Sequence, residues 1–257
     1  MRNVLTCTMN ICFLSPPQKN TAKHLILGFP ILVLVSAVIV DSWGLPIRAT
    51  AQAISFYIIS ALAIIFLLSN RQHPPQFGLA NCITLARLII TALLASTIGC
   101  LHLITETGIW VLIAFAVSAA LLDGLDGIVA RSRSETSFFG AKFDMEVDAA
   151  FILILAFLVW ELSKMGPWVL AAGLVRYIFV AASWPLSALR APLPPSFRRK
   201  LACVAQISAS IFALCPLESS TLQFTCLAAA TIFLFVSFIG DTLQLLRHTA
   251  KTPGAQP

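Results

Sequence analysis

Over 257 residues the chain is 58% hydrophobic and 11% charged, with 17 basic and 11 acidic residues and a net charge of +6. An ordinary soluble domain carries roughly 25% charged residues, so a soluble globule is excluded. The apolar runs are continuous over roughly 20 residues rather than alternating, which points to bilayer-spanning helices and away from a closed barrel. The expected fold class is all-α, a polytopic membrane protein of about eight transmembrane helices.

In chain order, residues 1–23 read as a cytoplasmic N-terminal tail, and the spans are expected near 24–43, 50–69, 79–104, 108–130, 137–163, 167–189, 200–217 and 221–245. The first run is read as a retained helix and not a secretory signal, because 23 residues with Pro16, Pro17 and polar groups precede it and no small-residue cleavage site follows. The seventh, LACVAQISASIFALC, is the shortest and most polar, so a seven-span arrangement is the rival to eight. Residues 247–257 read as a C-terminal tail.

Basic residues set the expected orientation. With the N-terminus cytoplasmic, Arg2, Lys19, Lys23, Arg71, Arg131, Arg133, Arg190, Arg198, Arg199, Lys200, Arg247 and Lys251 fall inside, and only Arg48 and Lys164 fall outside. Arg87, Lys142 and Arg176 lie within expected helices. The positive-inside rule then places both termini on the cytoplasmic side, as in a bacterial inner membrane. Topology and anionic headgroups account for the net charge, and no nucleic-acid partner is implied. The seven cysteines form no CxxC pair and the four histidines are dispersed, so neither a disulfide framework nor a zinc site is expected.

Chemistry concentrates in LLDGLDGIVARSRSETSFFGAKFDMEVDAA, residues 121–150, which holds four of the chain's six aspartates. Asp123 and Asp126 are three apart and Asp144 and Asp148 four apart, so each pair projects from one face of its helix. A short polar turn joins the two helices, and an antiparallel hairpin brings all four carboxylates to similar depth. Such a cluster needs cations, because isolated like charges in an apolar medium are costly. Oxygen-only donors favour Mg²⁺ or Mn²⁺, and four carboxylates can hold two ions, the usual equipment for handling pyrophosphate.

These residues carry a resemblance. Asp123, Asp126, Gly127, Ala130 and Arg131, followed by Gly140, Asp144 and Asp148, match DxxDGxxAR(x8)GxxxDxxxD, the signature of the CDP-alcohol phosphatidyltransferase family, at every position. The resemblance covers a six-helix core at 79–246 and leaves residues 24–78 as two additional N-terminal helices. It implies transfer of a phosphatidyl group from CDP-diacylglycerol to the hydroxyl of a small alcohol, with release of CMP and often in a homodimer. It assigns Asp148 as the general base with some metal contact, and Asp123, Asp126 and Asp144 as metal ligands. Asn81, Thr84 and Arg87 resemble the family's NxxTxxR segment; with Gly127, Ala130, Arg131 and Gly140 they would line the CDP and phosphate site. The two glycines allow either a close approach of substrate to backbone or close helix packing. Lys142 would snorkel or neutralise the cluster.

For the acceptor, Arg176 within its helix and Arg198, Arg199 and Lys200 after the loop APLPPSF suggest an alcohol bearing phosphate, although the loop cations also fit a purely topogenic role. Arg176 and the segment Lys200 to Gln206 loosely resemble the phosphatidylglycerophosphate synthase branch. Ala202 and Arg199 depart from its pattern, which leaves glycerol-3-phosphate and other alcohols open, and Gln206 equally suits an interhelical hydrogen bond. Two readings from other classes stand beside the transferase: a divalent-cation transporter using the carboxylates, and a catalytically idle membrane assembly protein.

Overall fold

A computed structural model describes residues 16–69, 77–133, 137–163, 165–182, 196–217 and 220–251. Among them the chain is all-helical, with α1 (Pro16–Trp43), α2 (Arg48–Ser69), α3 (Leu79–Ser96), α4 (Glu106–Ser132), α5 (Phe138–Ser163), α6 (Leu170–Ala182), α7 (Phe197–Leu214) and α8 (Ser220–Lys251). The helices α1, α2, α3, α4 and α8 are long and apolar enough to cross a membrane. The other three depart for visible reasons. Four ionisable residues, Lys142, Asp144, Glu146 and Asp148, crowd the first turns of α5, α6 is short, and α7 opens on Arg198, Arg199 and Lys200.

Three boundaries differ from the sequence expectation. Part of the expected N-terminal tail is helical, since α1 opens at Pro16, where a proline's missing N–H costs a first turn nothing. The expected span 79–104 breaks early. Its helix ends at Ser96, Gly99 takes a φ of +78°, and a 3-10 turn at Leu101–Leu103 leads to α4. Thr97 and Ser96 donate their hydroxyls back to the carbonyls of Leu94 and Leu93, which accommodates polar side chains at the break. At the other end, α8 continues to Lys251, into the expected C-terminal tail. The end of the sixth expected span, 183–189, lies outside the described residues.

The centre of the bundle is α3, which packs against α1, α2, α4 and α5. In that helix 67% of the span is buried, against 28% in α1 and 22% in α2, whose Leu27, Leu34, Ile59 and Leu62 face outward as lipid-exposed residues do. Between helices in lipid, close packing and hydrogen bonds supply the cohesion that water exclusion supplies elsewhere. Gly173 supplies one close approach: a Cβ there would stand 2.5 Å from the Leu153 Cα, so α6 lies directly on α5. Tyr57 ties α2 to α1 by donating to the Leu25 carbonyl at 2.8 Å. Gln223 of α8 caps the end of α7 by donating to the carbonyls of Phe212 and Cys215. Gln206 accepts from Thr231 at 3.2 Å, so it does form an interhelical hydrogen bond.

The two ends of the bundle differ in chemistry. At one end the Glu161 carboxylate accepts the N–H groups of Gly99 and Leu101 at 2.7 and 3.1 Å, and Arg48 donates to the Gly99 carbonyl. This closes the α3–α4 turn. The aspartates lie at the other end of α5, roughly 20 Å away by helical rise.

Candidate active site

Three helices build the site. On α3, Asn81, Thr84 and Arg87 lie three residues apart on one face and are all buried. On α4, Asp123 and Asp126 follow from a helix properly started by Thr105, whose hydroxyl accepts the Gly108 N–H. On α5, Asp144 and Asp148 follow from a first turn in which the Ser137 hydroxyl accepts the Gly140 N–H at 3.0 Å.

The four carboxylates meet as the spacing demands, and what they meet around is Arg87. Its Nη1 donates to Asp126 Oδ2 at 3.1 Å and to Asp144 Oδ1, while its Nη2 donates to Asp148 Oδ1 and lies 3.1 Å from Asp123 Oδ1. Thr84 adds a hydroxyl 3.2 Å from Asp126 Oδ2. Exposure is graded across the cluster. The side chain of Asp126 is 7% exposed and that of Asp123 17%, whereas Asp148 and Asp144 reach 26% and 36% and form the open side.

The donor set fits a divalent cation. One oxygen from each of Asp123, Asp126 and Asp144 lies within 4.8 Å of the others, and this group is made of hard oxygen donors alone. Asp148 stands beside that trio, joined to it through Arg87.

The remaining expected residues are distributed around this centre. Gly140 faces Asn81: a Cβ there would stand 2.9 Å from Asn81 Oδ1 and 3.1 Å from the Ser137 hydroxyl, so this glycine is needed for α5 to pack on α3. Gly127 is less confined, with the guanidinium of Arg131 folded over it one turn away. Ala130 is half-buried and Arg131 exposed at the end of α4. Lys142 is half-buried on α5.

The acceptor candidates are less simply placed. Arg176 pairs with Glu146 at 2.5 Å. Arg198 and Arg199 both pair with Asp241 of α8, at 2.9 and 3.0 Å, while Lys200 is exposed. Arg198 also lies across Gly240, where a Cβ would stand 2.7 Å from its Nη2. α7 packs against α5 and α4, the two helices that carry the aspartates.

Sequence reasoning passed over Glu146 and Asp241. Each carried a signal: Glu146 is an acid inside the aspartate motif, and Asp241 is a lone acid late in an apolar helix, the kind of intramembrane charge that requires a partner.

Searches of curated proteins and of solved structures return no match to this chain. A family model for CDP-alcohol phosphatidyltransferase matches residues 77–238, a segment that holds the whole aspartate cluster and its α3 partners. With the match extending over more than half of the sequence, the chain belongs to the CDP-alcohol phosphatidyltransferase family, whose activity is phosphatidyl transfer in phospholipid synthesis.

Proposed function

We propose that the protein transfers a phosphatidyl group from CDP-diacylglycerol to the hydroxyl of a small alcohol and releases CMP. The observation that carries this reading is the convergence of Asp123, Asp126, Asp144 and Asp148 at one end of the bundle, within the family-matched segment. Asp123, Asp126 and Asp144 would hold Mg²⁺ or Mn²⁺. A divalent ion bound there supplies neutralisation of pyrophosphate charge and stabilises the departing CMP.

Asp148 is the general base. Arg87 engages its Oδ1, which leaves Oδ2 to receive the acceptor's hydroxyl proton, and its side chain is more open than that of Asp126. Asn81, with Gly127, Ala130 and Arg131 at the end of α4, lines the route by which the CDP moiety reaches the cluster. Arg131 is suited to the pyrophosphate because its planar fork matches phosphate oxygens. Diacylglycerol stays in the bilayer, and the polar substrates enter from the side holding Arg131, Arg133, Arg198, Arg199 and Lys200. That side is cytoplasmic by the positive-inside rule, in a bacterial inner membrane.

The acceptor carries a phosphate, which Arg199 and Lys200 at the start of α7 would meet; Arg176 joins them when its pair with Glu146 opens. Residues 79–246 are the catalytic core, the two added helices α1 and α2 pack on it, and the assembly is a homodimer. Incubation with CDP-diacylglycerol, Mg²⁺ or Mn²⁺ and a panel of alcohols tests the reaction, with CMP and the lipid product measured. Metal-dependent CMP release that requires a phosphorylated alcohol is the expected result. Release with none of the alcohols removes the proposal.

A further inference from the structure

Arg87 is 1% exposed and is the charged residue around which the cluster is organised. Its terminal nitrogens donate to three carboxylates, Asp126 and Asp144 at Nη1 and Asp148 at Nη2, and Nη2 also forms an ion pair with Asp123 at 3.1 Å. The remaining N–H, at Nε, is buried without a partner among the described residues. At 1% exposure and ringed by four carboxylates, the guanidinium is closed to a nucleotide phosphate. Arg87 itself is held in place, since Thr91 donates to its carbonyl and Thr84 shares its contact with Asp126.

The carboxylates belong to two helices and the guanidinium to a third, so this one side chain ties α3, α4 and α5 together through charge. Four negative groups at close range would otherwise repel across the α4–α5 hairpin in a medium that screens poorly. Arg87 takes one oxygen from each carboxylate, namely Asp123 Oδ1, Asp126 Oδ2, Asp144 Oδ1 and Asp148 Oδ1, and leaves a second oxygen on each of Asp123, Asp126 and Asp144 for another cation.

We propose that Arg87 is a built-in counter-cation of the carboxylate cluster, a positioning residue that holds the four aspartates together with or without metal, and not a ligand of the nucleotide phosphates. This role rests on the metal-dependent reading above only where divalent ions are used to rescue a variant. Its distinguishing consequence is a change of sign. With Arg87 present, removing one aspartate charge deletes a good ion pair. With Arg87 gone, removing the same charge relieves repulsion.

The test uses the full chain in detergent, stripped of divalent ions by chelation, with thermal unfolding followed as Mn²⁺ is added back. Arg87→Gln is expected to lower the metal-free midpoint by roughly 10 °C, as loss of a buried charge partner does. Saturating Mn²⁺ should recover most of that loss and shift the variant far more than it shifts the unaltered protein. Arg87→Lys, which keeps the charge but cannot reach all four acids, should fall between the two.

The added substitution Asp144→Asn should raise the metal-free midpoint of Arg87→Gln, although Asp144→Asn alone lowers that of the unaltered protein. Should Arg87→Gln fail to accumulate, recovery of folded protein in the double variant supports the same role, and failure of both overturns it. A metal-free midpoint of Arg87→Gln within roughly 2 °C of the unaltered protein, or no gain from the added Asp144→Asn, also overturns it. If the change of sign appears but Mn²⁺ shifts no variant, the counter-cation role stands and the metal reading falls.

Discussion

Arg176 of α6 is paired with Glu146 of α5, at 2.5 Å, and Glu146 lies midway in sequence between Asp144 and Asp148. At 100° per residue, Glu146 leaves α5 on the side away from both aspartates. Arg176 is therefore held on the side of α5 away from the aspartates, and an acceptor phosphate would have to draw it from a carboxylate. Replacing Arg176 with Ala should raise the acceptor KM by about 10- to 100-fold, the worth of one charge-assisted hydrogen bond, with little change in the KM for CDP-diacylglycerol. Glu146→Gln frees the guanidinium and should lower the acceptor KM. Steady-state kinetics with both substrates varied checks the pair; a loss of thermal stability in both variants with neither KM altered would make the pair purely structural.

The two ends of the bundle give a direct test of orientation. Ser132 is exposed at the end of α4 and Leu103 is exposed beyond the far end of α3, so cysteines placed there in a cysteine-free background report opposite faces. In intact cells, an impermeant thiol reagent added outside should modify Leu103→Cys and spare Ser132→Cys until the membrane is opened. The reverse pattern would turn the protein over and deny cytidine its proposed entry.

Gly140 is predicted to accept a side chain only at a cost. A methyl group there would press on Asn81 Oδ1 at 2.9 Å and on the Ser137 hydroxyl that starts α5. Because both neighbours are buried or bonded, Gly140→Ala should cost about 1–3 kcal/mol and weaken activity by displacing α5 from α3. Gly127→Ala meets the Arg131 guanidinium at an ordinary 3.5 Å and should fold normally. Comparing thermal midpoints of the two variants checks the contrast.

Much of this arrangement was legible because it obeys helical periodicity. Spacings of three and four placed Asp123 with Asp126 and Asp144 with Asp148, and the nearness in sequence of the end of α4 to the start of α5 put both pairs at one end of the bundle. What those carboxylates face was not legible, since the Arg87–Asp148 contact joins residues 61 positions apart and no local pattern encodes it. Asp241 was missed for the same reason: its partners Arg198 and Arg199 lie on another helix. The break after Ser96 was passed over because hydropathy runs on through Leu101 and Leu103, while the structural signal was the single residue Gly99 with its positive φ.

The last prediction separates the work of the four acids. Asp126 is the most enclosed, bonded to both Arg87 and Thr84, and belongs to the trio of oxygens within 4.8 Å. Asp148 lies outside that trio and is more open, with Oδ1 held by Arg87. A residue so placed has one oxygen fixed for orientation and one available to a substrate hydroxyl, which is the geometry a general base requires. Asp148→Asn preserves the shape and the contact with Arg87 through its remaining oxygen but replaces the proton-accepting oxygen with an amide. Turnover should fall by about 10²–10⁴-fold, the usual worth of a positioned proton transfer, while binding of CDP-diacylglycerol and Mn²⁺ changes little. Asp126→Asn should instead weaken Mn²⁺ binding, and donor binding with it. Calorimetric titration of both variants, set beside their turnover, checks the division; near-normal turnover in Asp148→Asn with unchanged metal and donor affinity would assign the proton to another group.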